Sequence, residues 1–298
     1  MQIKTVFTIG DRDINEDAMV VDPQQNIFAV IDGATGLGGL PGSLASGLIK
    51  KALEKEAFSP LRDKIIEGNT HLRETTESSN KEQHLLEQIP KHERSSCGLA
   101  AIQIHKNEDG TAASMDWASA GDCMLFLQFK DHSIRQVTFD HIDRLDNEAI
   151  MLMQKEWDNY LNGLSTIEDV SIEELKRKHQ LFRKNVQELL QANRNKLNTP
   201  EGYGIIDGSH EAADFLEYGH IPLIAVNKIL LLSDGLKLHS SRGSDQEETW
   251  LTTAKMAFEK GLDELEKYIL QLEESDPACL FYPRLKQHDD KSGILIEL

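Results

Sequence analysis

The sequence predicts an α+β fold in which sheets pack against each other with helices on their outer sides. Three observations carry that reading. Short apolar runs with strand character cluster toward both ends of the chain, and charged, helix-like stretches lie between them. Turn chemistry such as Asn107-Glu108-Asp109-Gly110 separates consecutive strands, as expected of antiparallel neighbours. The 298 residues show no internal repeat and no low-complexity linker, so one domain is expected.

Gln2 to Ile9 reads as the first strand, followed by a polar turn from Gly10 to Asp17. Strands follow at Ala18 to Val21 and at the apolar run Ile27-Phe28-Ala29-Val30-Ile31. The glycine-rich segment Gly33 to Gly42 reads as a mobile connection into a helix from Ser43 to about Phe58, where Leu44, Leu48 and Leu53 roughly keep helical spacing. The polar stretch from Pro60 to Pro90 holds a second helix. Four strands come in quick succession: Cys97 to His105, Ala112 to Ala120, Met124 to Phe129, and Ser133 to Phe139. From Ile142 to Lys196 the chain turns charged and helical, with Ser171 and Glu174 forming a capping box for a helix running toward Leu190. Strand character returns at Pro222 to Val226 and Ile229 to Leu232. A helical region from Glu247 to about Leu272 precedes the last strand, Gly293 to Leu298.

Hydrophobic residues make up 39% of the chain and charged ones 28%, which suits a soluble globular protein. No apolar run approaches the roughly 18–20 residues of a membrane span, so no membrane partner is expected. The opening Met1-Gln2-Ile3-Lys4 has no secretory-signal character. Cys97, Cys123 and Cys279 are too few and too scattered for a disulfide framework or a thiolate zinc site, and a cytoplasmic setting is expected. Fifty acidic residues against 32 basic ones give a net charge of −18, which argues against nucleic-acid binding through a basic face.

Some of the acids stand where a solvated surface would not put them. Glu16 and Asp17 immediately precede a strand. Asp32 and Asp234 each follow an apolar strand and each is followed by glycine, while Asp289 and Asp290 stand just before the terminal strand. One Asp-Gly pair is an ordinary turn and one Asp-Asp pair is ordinary surface. Jointly, if these strands pack side by side, several carboxylates converge at one rim. Their repulsion would raise their pKa values and destabilise the fold without cations. Hard divalent ions prefer such oxygen donors.

The ordered set Arg12-x-x-Asn15-Glu16-Asp17, Asp32-Gly33, Gly121-Asp122, Ser233-Asp234-Gly235 and Asp289-Asp290 resembles the metal-dependent serine/threonine protein phosphatases, the PPM or protein phosphatase 2C family. Thr138-Phe139-Asp140-His141 is also similar. The likeness runs from about Thr8 to the end of the chain, interrupted by the helical stretch from Ile142 to Lys196. It implies a central β-sandwich of two antiparallel sheets flanked by helices (α-β-β-α). It also implies two Mn²⁺ or Mg²⁺ ions, with a third in some relatives, and a phosphorylated protein as substrate. By that resemblance Asp32 would bridge the ions, the Gly33 carbonyl and Glu16 would serve one, and Asp234 and Asp289 the other. Asp17 would orient ligands or bound water, Asp122 would help hold a third ion, and Arg12 would grip the substrate phosphate with its guanidinium fork. The implied chemistry is in-line attack on phosphorus by a water shared between two cations, with no covalent enzyme intermediate.

The sequence also departs from that family. The Asp-Gly motif is often followed by histidine, a candidate proton donor to the leaving group, but Ala34 stands there. Cys123 replaces a frequent serine. The stretch 142–219 occupies the place of a variable flap and is long and charged, either a solvated insertion or a substrate selector. Asp11 to Asp17 opens like an EF-hand loop, but Glu16 and Asp22 occupy the positions of its glycine and glutamate, with strands alongside. The glycine-rich segment lacks the Gly-Lys-Ser/Thr ending of a P-loop. His141 and His288 flank motif acids and read as surface or supporting residues. Two rival functions remain: a pseudophosphatase that acts by docking, and a phosphatase of a small phosphorylated metabolite.

Overall fold

The computed structural model describes residues 1–37, 39–79, 85–166, 169–243 and 249–298. Its centre is a pair of five-stranded sheets whose paired strands are all antiparallel. One sheet has the order β1 (Gln2–Thr8), β10 (Lys291–Glu297), β9 (Val226–Leu232), β6 (Met124–Phe129), β7 (Ile134–Gln136). The other has the order β2 (Ala18–Asp22), β3 (Ile27–Ala34), β4 (Ser96–Lys106), β5 (Ala112–Ala120), β8 (Glu217–Pro222).

The continuous apolar runs of β3 and β9 follow from their position. Such a strand is covered on both faces, so neither face can be polar. Phe28 and Val30 point into the layer between the sheets with Leu125, Ile229, Leu231 and Ile294. Ala29 and Ile31 point the other way, under α1 (Gly42–Glu54) and α2 (Leu61–Ser79). On the opposite side, α6 (Thr249–Lys260) and α7 (Leu262–Ser275) cover Val6, Phe126, Leu230 and Leu295. The expected α-β-β-α layering is present. Among the described residues there are seven helices. The remaining three, α3 (Asp143–Asn162), α4 (Ile172–Asn185) and α5 (Gln187–Arg194), fall within the charged central stretch. Trp157 and Phe182, with ring centroids 5.1 Å apart, join α3 and α4 in a satellite core with Leu280.

Several boundaries differ from expectation. Pro222 to Val226 is mostly a turn, with Ala225 at φ 58, and the true strand is the preceding Glu217–Pro222. That strand lies at a sheet edge, so its polar Glu217, Gly219 and His220 need no apolar partners on the open side, and its composition hides it. The last helical region breaks at Gly261, φ 95, into α6 and α7, and the expected start at Glu247 lies outside the described residues. The helix capped by Ser171 ends at Asn185, and α5 begins two residues later. The Ser171 side chain accepts from the Glu174 amide, as a cap should. The glycine-rich connection is anchored in its described part: the amides of Leu37 and Leu40 donate to the carbonyls of His92 and Glu93.

Candidate metal and phosphate site

The register of the ladders decides where the candidate acids go. In one sheet Ala18 pairs with Ile31, Gly33 with Cys97 and Leu99 with Ala120, so the start of β2 and the ends of β3 and β5 share one edge. In the other, Leu232 pairs with both Gly293 and Met124, which brings the end of β9 beside the starts of β10 and β6. Every expected acid sits on one of these ends. Asp32 feels the charges of Asp234, Asp17 and Asp122, and Asp234 feels that of Asp289, so the two edges form a single rim.

Close backbone approach explains the glycine in each Asp-Gly pair. A Cβ on Gly33 would lie 2.1 Å from the Glu16 carbonyl oxygen, and one on Gly235 would lie 1.9 Å from that of Asp290. The two glycines let the first and last motifs press against the middle ones. Asp290 then ties the ends of the chain together, since its carboxylate accepts from the amides of Gly10 and Glu16, both at 2.7 Å. Ser292 Oγ donates to Asp17 at 2.7 Å from β10.

Burial is the first cause of the carboxyl shifts at this rim, and mutual repulsion the next. Together they push Asp32, Asp122 and Asp234 above the usual carboxylate range, and Asp17 up to about 8. Asp234 Oδ1 is shielded from solvent and has no hydrogen-bond partner among the described residues. A cavity of about 160 Å³ opens over Arg12, Glu16, Asp32, Gly33, Asp122 and Asp234. An adjoining one of about 190 Å³ is lined by Asp122, Asp234 and Asp289.

The expected residues are therefore neighbours, with two distinctions. Glu16 lines the cavity, but its carboxylate is engaged by Arg12, by the Thr35 hydroxyl, and by the Gly42 amide (2.9 Å) at the start of α1. Asp17 is buried and lines neither cavity. His141 and His288 bond to Glu217 at 2.9 Å and Glu273 at 2.7 Å, and neither ring hydrogen-bonds an aspartate of the rim among the described residues.

Four residues of the cavities were not among those expected from the sequence. Asp146, in the first turn of α3, is pushed up to about 7 by burial and then by Asp234 and Asp140. Lys286 Nζ lies 2.6 and 2.7 Å from the two Asp289 oxygens. Burial would lower its pKa, but Asp289, Asp234 and Asp32 hold it above its ordinary value. Arg183 of α4 and Arg194 of α5 line the cavity with Arg12. Arg183 makes no hydrogen bond or ion pair among the described residues, and burial, Arg12 and Arg194 lower its pKa. The spacing Lys286-x-x-Asp289 is visible in the sequence. The other three sit on helices whose charged faces look alike.

No protein-family profile matches the sequence, and no curated protein does. Solved structures do match. The serine/threonine phosphatase Stp1 of Staphylococcus aureus superposes with a TM-score of 0.54 at 16% identity, over 100% of this chain and 94% of that one. The Mycobacterium tuberculosis serine/threonine phosphatase PstP/Ppp gives 0.53 at 17%, covering 100% and 98%. The fold is that of the PPM-type phosphatases. The catalytic domain of PstP in complex with two manganese ions gives 0.51 at 16% identity, over 99% of this chain and 97% of that one. In this phosphatase fold the residues present fit divalent cations. The donors are hard carboxylate oxygens, they repel one another, and one buried oxygen has no other partner. Ala34, in the histidine position, ends β3 beside Thr35 and leaves that place without a titratable group.

Proposed function

We propose that the chain is a metal-dependent phosphatase that hydrolyses phosphoserine and phosphothreonine esters of a protein substrate. The observation that carries this reading is the rim of mutually repelling aspartates, with one orphaned oxygen, beneath a cavity edged by arginines. Asp32 and the Gly33 carbonyl would hold two Mn²⁺ or Mg²⁺ ions with Asp234 and Asp289. Glu16 would serve one of them through bound water, and Asp122 would reach a third. The bound ions supply Lewis acidity and a water made nucleophilic near neutral pH.

The chain's own residues do the rest. Asp17, fixed by Ser292, orients water from behind the rim. Arg12, held by Glu16 and by Thr35 Oγ1 at 2.8 Å, presents its guanidinium to the phosphoryl oxygens. Arg183 faces it without a hydrogen-bond or ion-pair partner among the described residues, so an anion between the two relieves their repulsion. The stretch 142–219 acts as a flap that carries Arg183 and Asp146 to the cleft, within a single catalytic unit. The leaving alkoxide takes its proton from water, because Ala34 cannot give one.

Hydrolysis of an aryl phosphate with Mn²⁺, with and without chelator, tests the reaction class. Chelator-sensitive turnover is expected, and its absence would favour a docking protein. Faster turnover of phosphopeptides than of a phosphometabolite panel is expected, and the reverse order would reassign the substrate.

A further inference from the structure

Away from the rim, three side chains with metal-ligating atoms meet on adjacent strands. Asp116 of β5 pairs directly with His220 of the edge strand β8, and His105 of β4 lies on the other side of Asp116. His220 Nδ1 is 2.7 Å from one Asp116 oxygen, and His105 Nε2 is 2.8 Å from the other. The three donor atoms lie within 4.8 Å of one another. The ladder bulges between His105 and Lys106, and such irregularities re-aim side chains. The strands fix the face. Met115, Trp117 and Ile221 point into the layer between the sheets, so Asp116 and His220 point to the outer, helix-bearing side.

The geometry points to a second metal site at His105, Asp116 and His220, for a borderline cation of the Zn²⁺ class. The donor set decides the class. Two imidazoles and one carboxylate suit zinc, nickel or copper, whereas the all-oxygen rim suits magnesium or manganese. Three protein ligands leave a fourth position for water. The site is open to solvent, with the His105, Asp116 and His220 side chains 43%, 35% and 56% exposed, so an ion has an entry path. Asp116 stays ionised: burial opposes this, but the hydrogen bonds from His220 and His105 outweigh it and hold the carboxyl below its ordinary range.

The site is separate from the rim. Asp116 lies four residues before the end of β5 at Ala120, about 13 Å along the strand, and Asp122 stands beyond that end in the following turn. A bound ion ties the edge strand β8 to β5 and β4, and β8 is the strand by which the chain returns to the sheet after the central helices. The far nitrogens of both rings have no protein hydrogen bond among the described residues, and ligands without such support bind metal less tightly. Affinity in the micromolar range is therefore expected.

The alternative is a hydrogen-bonded trio that needs no ion. His105→Gln and His220→Asn separate the two, because each keeps a donor near the bonded ring nitrogen and removes the imidazole. The full chain, its rim saturated with Mn²⁺, is titrated calorimetrically with Zn²⁺. Because Zn²⁺ also competes with Mn²⁺ at the rim, the expected result is one Zn²⁺ more per wild-type chain than per double variant, with affinity at that extra site lower by at least about 10-fold in the double variant. The melting temperature and Mn²⁺-dependent hydrolysis should be retained. A wild-type measurement avoids dependence on the variant: Zn²⁺ should protect His105 and His220, but not His132, from acylation read by mass spectrometry. Identical isotherms in the two proteins, or acylation of His105 and His220 unaffected by Zn²⁺, would overturn the proposal.

Discussion

Two carboxylate environments border one cavity and behave in opposite ways. At the rim, Asp32, Asp122 and Asp234 have few compensating partners and are forced toward their neutral forms. Glu273 of α7, on the wall of the cavity that Asp122 and Asp234 also line, is buried but ion-pairs with Lys291 at 3.0 Å and accepts from His239 and His288. Burial would raise its pKa, yet these partners pull it down to about 2. Lys291 also donates to the Asp289 carbonyl at 2.9 Å, so the satisfied network braces the strained one. Burial alone therefore assigns no role to an acid. The partner set separates Glu273, which the chain supplies with cations, from Asp32, Asp122 and Asp234, which await one from outside; Asp289 and Glu16, held by Lys286 and Arg12, would exchange those partners for the ions.

The largest expected effect lies at the rim. Asp234→Asn should cut Mn²⁺-dependent phosphate hydrolysis by about 10³-fold or more, since several kcal/mol of charge stabilisation is lost. The same variant should melt higher than wild type in chelator, because a repelling charge has gone. A lower melting temperature in chelator would erase the distinction between the regions. Glu273→Gln should do the reverse, destabilising the fold by about 3–5 kcal/mol by leaving Lys291 buried and unpaired, as measured by denaturant unfolding. Arg183→Ala should raise KM for a phosphopeptide by about 10-fold, the worth of one charge-assisted hydrogen bond. The Mn²⁺ requirement should stay unchanged.

The two regions also differ in pH dependence, with two windows. Glu273 drops from an ordinary 4.5 to about 2, so its stabilisation is complete above pH 4.5 and is lost as pH falls toward 2. Asp17 and Asp146 rise from 3.8 to about 8 and about 7, so the folded state keeps protons that the unfolded chain has released. The metal-free fold should then lose stability as pH climbs from about 4 to 8. Saturating Mn²⁺ should flatten or reverse that slope, because ions bind the deprotonated acids. Thermal melts across pH, with and without Mn²⁺, read both windows.

The rim was legible in the sequence because strand ends are legible. An apolar run such as Ile27–Ile31 announces a doubly covered strand, and the acid beside it inherits that position. The need for Gly33 and Gly235 could not be read, since it arises from segments distant in sequence. Asp146, Arg183 and Arg194 were hidden because an inward-facing charge on a charged helix has no periodic mark. The edge strand β8 was hidden for a related reason: a strand open on one side can be polar, and its Glu217 and His220 resemble a loop.

The most direct test of the central claim is calorimetric titration of the wild-type chain and its Asp32→Asn variant with Mn²⁺. The account predicts at least two Mn²⁺ per wild-type chain and loss of the tight sites in the variant, with its melting temperature in chelator maintained. Failure of the wild type to bind Mn²⁺, or an unchanged isotherm in the variant, would contradict it.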